Sequence, residues 1–269
     1  MITFIRGKYG AGLKKVVQIL KDDYGIDASI RRLSKIDNSF YSPVVVCWGI
    51  TEYPPYTVGF DILFNPSCII KEQVNKLEFF QWNSGVLPLV PWTGNKWMAK
   101  FWLEHELKVY ARQNLSSSGG KCIVYMDKVE DLVDAPLYTQ RVVGKEYRVH
   151  LDVYGGRIID MAQKRKMTTA KLETKGYTYN KYIKSHKNGW VHSHKNIDPL
   201  PDGVEEQILK DFKNYPLDFV AIDLIIPKSQ EWESYKVLEV NTAPGLVQSQ
   251  TIRAYADMFA RYCQEIEKS

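Results

Sequence analysis

The stretch Tyr235–Leu246, YKVLEVNTAPGL, places two polar side chains inside an apolar strand. Val237, Leu238 and Val240 are core-type residues, yet Glu239 and Asn241 stand among them, and Pro244 and Gly245 then end the run. Side chains alternate along a strand, so Glu239 and Asn241 share one face.

A second apolar run, DFVAIDLIIP (Asp218–Pro227), carries one acid, Asp223, and precedes the first by a polar loop. Antiparallel pairing of the two predicts Asp223 opposite Glu239 and Asn241, three oxygen donors on one sheet face. Burying an unpaired carboxylate costs roughly several kcal/mol, so such a face calls for a cation or a basic partner. Hard oxygen ligands that include a carboxamide suit magnesium held against phosphate. The competing reading is a sheet face open to water, with these residues merely solvated.

The chain has 269 residues and a formal net charge of +5. That length suits one large domain or two or three small lobes. The mild positive charge suits an anionic ligand such as a nucleotide and does not by itself require nucleic acid. The basic residues concentrate between Arg157 and Lys195. Cys47, Cys68, Cys122 and Cys263 are far apart and lack zinc spacing, so buried free thiols are expected. No apolar run reaches the ~18 residues of a membrane span, and MITFIRGKYG lacks a signal-peptide core. A soluble cytoplasmic protein is expected.

Residues 1–66 read as a small α/β unit. ITFI is a strand, AGLKKVVQILKDDYG a helix stopped at Gly25, SPVVVCWGI (Ser42–Ile50) a buried parallel strand, and EYPPY (Glu52–Tyr56) a loop. Ile69–Trp82 reads as one helix, VPWTGN (Val90–Asn95) as a turn and Trp97–Leu107 as a further helix. KVYAR and CIVYM flank a flexible SSSGGK loop, and APLYTQRVV is the next strand. Gly155-Gly156 turns KEYRVHLDVY back into RIIDMAQ. Residues 167–197 lack periodicity and read as an irregular basic insertion. Asp202 is the expected N-cap of a helix to Tyr215, and Gln250–Lys268 a closing helix.

Phosphate would need further partners. KEYRVHL offers Glu146, Arg148 and His150 on one strand face, QKRK adds Lys164, Arg165 and Lys166, and the Gly-rich SSSGGK loop offers free N–H groups as a lid.

These residues together, EYRVH followed by QK, then DFVAIDLI, then VLEVNTAPGL with a downstream helix, resemble the carboxylate–amine ligases of the ATP-grasp superfamily. RimK-like and phage-type ATP-grasp proteins are the nearer comparison, glutathione synthetase and D-alanine–D-alanine ligase more distant ones. The resemblance covers about residues 65–262. It implies an α+β fold, two α+β lobes gripping ATP, preceded by a short α/β lobe. The divisions would be 1–66, a lid lobe 67–140, and a C-terminal lobe 141–269 carrying the basic insertion 165–197. It implies ATP and Mg2+ as cofactors, with Asp223, Glu239 and Asn241 as metal ligands. Arg148 would stabilise the transferring phosphoryl group, and Lys164 or Arg165 would touch phosphate or acceptor. Lys76 and Arg112 would flank the nucleotide phosphates. Ser116, Ser117, Ser118, Gly119 and Gly120 would form the lid loop. Gln140, Arg141, Val142 and Val143 would be the hinge that reads adenine, Glu146 would take the ribose hydroxyls, and Asn196 would lie near the phosphates. Activity would be amide formation through an acyl-phosphate, on small-molecule, amino-acid or peptide carboxylates and amines. The front lobe looks short for this family, which leaves the acceptor pocket least transferable.

Other readings compete. A nucleotide-binding protein without ligation and a small-molecule kinase fit the same metal ligands. Gly7–Gly12, GKYGAG, has G-x-x-G-x-G spacing, which departs from the dinucleotide fingerprint and reads as a tight turn near the substrate cleft. His192-Ser193-His194 reads as a solvated loop, and His150 as a packing residue near the site. Tyr177, Tyr179 and Tyr182 alternate with Lys175, Lys181 and Lys184, a pattern that suits single-stranded nucleic acid or the wall of an acceptor pocket. Trp82, Trp92, Trp97 and Trp102 read as lid-lobe core.

Overall fold

The computed structural model describes residues 1–7, 10–37, 40–52, 59–116, 120–229 and 234–267. Lys8 and Tyr9 of the first glycine turn, most of the Glu52–Tyr56 loop, and Ser117, Ser118 and Gly119 of the lid loop lie outside these residues.

The front unit is a parallel sheet in the order β2-β1-β3-β4, built from β1 (Ile2–Arg6), β2 (Ala28–Arg32), β3 (Val44–Trp48) and β4 (Ile62–Phe64). Every residue of β1 and β3 is buried, as a sheet covered on both faces requires. Helix α1 (Ala11–Tyr24) buries Leu13, Val16 and Leu20 and stops at Gly25, as expected from sequence; the φ of 64° there is a left-handed cap.

α2 (Ser67–Val74) and α3 (Lys76–Asn83) replace the single helix expected over Ile69–Trp82. Asn75 makes the break: its backbone is extended and its side-chain oxygen accepts from the N–H groups of Leu77 and Glu78, capping α3 afresh. Both helices pack into the largest core, where Ile70, Phe79 and Phe80 meet Tyr147, Val149, Ile222 and Val237.

The lid sheet, order β5-β8-β6-β7, is antiparallel and comprises β5 (Trp92–Thr93), β6 (Val109–Arg112), β7 (Ile123–Met126) and β8 (Leu137–Gln140). Thus VPWTGN contributes a short edge strand where a turn was expected. Helix α4 (Lys96–Glu104) seats Ala99, Trp102 and Leu103 in a separate small core with Val109, Ala111, Met126 and Tyr138. Of the four tryptophans expected in the core only Trp102 is buried; Trp97 and Trp82 are 77% and 63% exposed.

The central sheet has the order β11-β10-β9-β12-β13 and is antiparallel throughout: β9 (Gly144–Asp152), β10 (Arg157–Lys166), β11 (Trp190–Ser193), β12 (Phe219–Pro227) and β13 (Lys236–Asn241). The segment 167–197 is therefore not wholly irregular. It holds α5 (Thr169–Lys175), capped by Thr168, and the edge strand β11. α6 (Val204–Phe212) starts from Gly203, and Asp202 makes no cap. α7 (Ser249–Ile266) packs on α1 and the front sheet, with Tyr255, Phe259 and Tyr262 buried against Phe4, Trp48 and Phe64. The cysteines are free, Cys47 and Cys263 buried, whereas Cys122 is exposed. No helix among the described residues is long and apolar enough to cross a membrane.

Candidate active site

The site is a set of rows across the central sheet. Arg148 on β9 pairs in register with Asp223 on β12, and Asp223 with Glu239 on β13. One step along, His150, Ala221 and Asn241 form the next row. Antiparallel pairing brings side chains in one row onto the same face. A bulge in β13 sharpens the placement: Asp223 faces Glu239 but Leu224 faces Val237, so Leu238 is the extra residue. Leu238, Glu239 and Asn241 all line the cavity.

That cavity has a volume of about 1110 Å³ and lies between the central sheet, the lid sheet and the basic segment after β10. Arg148 grips Asp223 with two hydrogen bonds, Nε to Oδ1 at 2.6 Å and Nη2 to Oδ2 at 2.8 Å. Burial opposes charge on both groups, and the pairing outweighs it. Arg148 holds the Asp223 carboxyl well below the usual carboxylate range, and Asp223 holds the guanidinium above its ordinary value. Lys76 Nζ lies 3.1 Å from Glu239 Oε2 and lowers that carboxyl against the effect of burial. Asn241 Nδ2 donates to Glu239 Oε1 at 3.4 Å.

Beside this row, Glu146 carries two lysines: Lys164 Nζ at 3.1 Å from Oε2 and Lys184 Nζ at 2.8 Å from Oε1. Burial pulls the Lys164 ammonium down, but Glu146 outweighs it and the net shift is upward. His150 and His192 also face the cavity. Burial and the nearby Arg148 lower them to about 4 and about 3, so both are neutral near pH 7. His150 Nδ1 lies 3.1 Å from the Tyr255 hydroxyl, and His194 Nε2 lies 2.9 Å from Asp160 Oδ2. His192 and Ser193 are thus strand, and with His194 just past the strand's end they are cavity wall, where a solvated loop was expected, because β11 pairs with β10 and sets Lys164 against His192.

The other expected residues fall into three groups. Arg112, Gly120, Gln140, Arg141, Val142 and Val143 line the cavity with Lys76, Glu146, Arg148 and Lys164. Arg165 and Asn196 do not. Strand alternation turns Arg165 to the opposite face from Lys164, where it bonds Gln163 Oε1 and the Asn196 carbonyl. Ser116 is an exposed turn residue whose N–H donates to Asn114 Oδ1, and it does not line the cavity. Tyr182 and Lys184, read from sequence as part of a basic–aromatic run suited to nucleic acid or an acceptor-pocket wall, also line the cavity. Tyr182 stacks on Tyr125 of the lid sheet, centroids 3.9 Å apart and planes within 7°, and Arg141 lies over both rings. The Tyr110 hydroxyl donates to the Tyr182 carbonyl at 3.0 Å. The basic–aromatic alternation of Lys175–Lys184 was the available signal, but it gave no direction for the side chains.

Two carboxylates and a carboxamide converge at one end of the cavity, each acid beside a cation. That donor set fits a hard divalent ion bound with anionic oxygens. Among the described residues no three His, Cys, Asp or Glu side chains gather as a metal-binding group. Arg112, Arg141, Lys171, Lys175 and Lys195 line the cavity without an ion pair to any described residue, so its wall is net positive.

The ligase PsnB, solved with a minimal precursor, superposes with a TM-score of 0.62 over 97% of this chain and 98% of its own, at 11% identity. The chain has the ATP-grasp fold. D-alanyl-alanine synthetase A from Vibrio cholerae O1 biovar eltor str. N16961 matches the same ATP-grasp architecture with a TM-score of 0.62, 12% identity and coverage of 97% of this chain and 96% of that one. A RiPP-associated ATP-grasp ligase from Chryseobacterium gregarium, in complex with ADP and a leader and core peptide, gives 0.58 at 14% identity over 97% of each chain. No family model matches the chain, and no curated protein matches it in sequence.

Proposed function

We propose that this ATP-grasp protein is an ATP-dependent carboxylate–amine ligase. The row Arg148–Asp223–Glu239, set in register across three strands and facing a large positive cavity, carries the reading. Structures of PsnB hold a minimal precursor, Mg and ADP, which supports a nucleotide in the equivalent cleft and a peptide or amino-acid substrate beside it.

In this reading a substrate carboxylate oxygen attacks the γ-phosphorus of ATP, the bond to the bridging oxygen breaks, and ADP leaves. The amine then attacks the acyl carbon, phosphate departs, and the amine loses a proton. Magnesium, held by Asp223, Glu239 and Asn241, would neutralise phosphate charge. Lys76 and Arg112 flank the phosphates, and Arg148 and Lys164 meet the charge that develops on the transferring group. Gln140–Val143 border the base, and Glu146, between Lys164 and Lys184, takes the ribose hydroxyls. Gly120, close to Ile183 and Ser185, and the Tyr125–Tyr182 stack border the cavity where water would have to be kept from the activated acyl group.

The test is ADP release by the purified chain over a panel of amino acids and peptides, with magnesium and with a chelator, and mass spectrometry of any product. A condensed product one water lighter than its parts is expected. A stable phosphorylated product would make the chain a kinase, and ATP binding without turnover of any pair would make it a binding protein.

A further inference from the structure

Asp160 on β10 has a fully buried side chain, and among the described residues no lysine or arginine pairs with it. Three other donors converge on its carboxylate. His194 Nε2 at 2.9 Å and the Thr251 hydroxyl at 2.5 Å bond Oδ2, and Gln250 Nε2 at 3.1 Å bonds Oδ1. A buried acid without a permanent cation beside it stabilises any positive charge that forms on its histidine partner.

A carboxylate only accepts, so Nε2 of His194 carries the proton and Nδ1 the lone pair. Nδ1 makes no hydrogen bond to any described residue. His194 lines the main cavity, together with Gln250 and Thr251 at the start of α7. Asp160 stands in register with His150 on β9, which continues through Ala221 to Asn241. The Asp160–His194 pair therefore holds the β10 end of the row next to Arg148–Asp223–Glu239.

An amine entering near pH 7 arrives as the ammonium, which has no lone pair to attack with. The Arg148 row offers nothing to take its proton. Arg148, Lys164 and Lys76 are cations, and Asp223, Glu146 and Glu239 are each paired to one. The neighbouring histidines, His150 on β9 and His192 on β11, are pushed down to about 4 and about 3, too weakly basic to serve.

We propose that His194, oriented by Asp160, is the general base that takes a proton from the amine substrate, an inference that rests on the ligase reading. Nδ1 accepts one proton from the ammonium, and the imidazolium is held against Asp160 until it returns that proton to solvent. The freed nitrogen lone pair forms the C–N bond, the acyl C–O bond to phosphate breaks, and the departing phosphate takes the second proton from nitrogen. His194 is the catalytic residue here and Asp160 the positioning residue.

Hydroxylamine is the probe, because its nitrogen is already unprotonated at neutral pH and attacks an acyl-phosphate without a base. The amino acids and peptides of the ADP-release panel serve as acids, with hydroxylamine or a second panel member as nucleophile, and mass spectrometry counts hydroxamate and amide. His194→Gln keeps a donor for Asp160 but has no basic nitrogen. It should lower amide formation at least about 100-fold and hydroxamate formation by less than about threefold. Asp160→Asn, which no longer fixes the tautomer, should show the same selectivity. His194→Ala should lose amide formation and regain it with added imidazole, and it decides if His194→Gln does not fold. Equal losses with the two nucleophiles, or amide formation unchanged in His194→Gln, overturn the base and leave the ligase reading standing. No hydroxamate from any acid with wild type overturns the ligase reading and the base with it.

Discussion

Arg148 and Asp223 face each other across β9 and β12 and share two hydrogen bonds, of 2.6 and 2.8 Å, on the wall of the main cavity. The pair keeps both charges inside the protein, so each residue has a structural duty besides the one proposed in catalysis. Asp223→Asn should cost on the order of 3 kcal/mol by denaturant unfolding, because the guanidinium stays behind. Glu239→Gln leaves the Arg148 pair whole and is the cleaner probe. It should lower ADP release at least about 100-fold while the unfolding midpoint moves little. Full turnover in both variants would remove the proposed metal ligands.

Lys164 and Arg165 are adjacent in sequence and lie on opposite faces of β10. Lys164→Met should reduce kcat about 100-fold. Arg165→Met should leave kcat within about twofold and register, if anywhere, in stability, since its partners are Gln163, the Asn196 carbonyl and Asp198. The same steady-state assay on both variants checks this, and equal losses would contradict the strand geometry.

His150 and His192 are held neutral by burial, at about 4 and about 3. In the unfolded chain each titrates near 6.5, so between that value and the folded one the unfolded state binds more protons. Stability is then fully present above about pH 6.5 and falls as the pH drops toward 4, by up to about 1.4 kcal/mol per pH unit for each histidine. Urea unfolding of His150→Gln over that range should show a shallower slope than wild type, and an unchanged slope would mean that His150 is protonated in the fold.

Tyr182 ties the basic segment to the lid sheet through Tyr125, Tyr110 and Arg141. Tyr182→Ala should raise the KM for ATP several-fold and change kcat less, because it loosens the cover of the cavity without touching the Arg148 row. Tyr182→Phe keeps the stack and should behave as wild type. Nucleotide titrations of the two variants distinguish lost stacking from general destabilisation.

The strand pair that carries Asp223, Glu239 and Asn241 was legible because acids inside apolar runs of period two have few places to go. The front sheet was legible for a similar reason, since VVVCW is apolar at every position. The β13 bulge was not, because an extra residue leaves no mark in composition, and strict alternation turns Leu238 away from the face it actually lines. The break at Asn75 was hidden by helix-forming residues on both sides. β11 was hidden because pairing with β10 supplies its order, and local sequence does not; the direction of Lys184 was hidden because its partner, Glu146, is distant in sequence.

The cations along the cavity wall that pair with no described acid, Arg112, Arg141, Lys171, Lys175 and Lys195, have a kinetic consequence. Their field extends past the mouth of the cleft, so an incoming polyanion is drawn in before any contact forms. Encounter should therefore slow as salt rises and the Debye length shrinks, while dissociation, governed by short-range grip, changes far less.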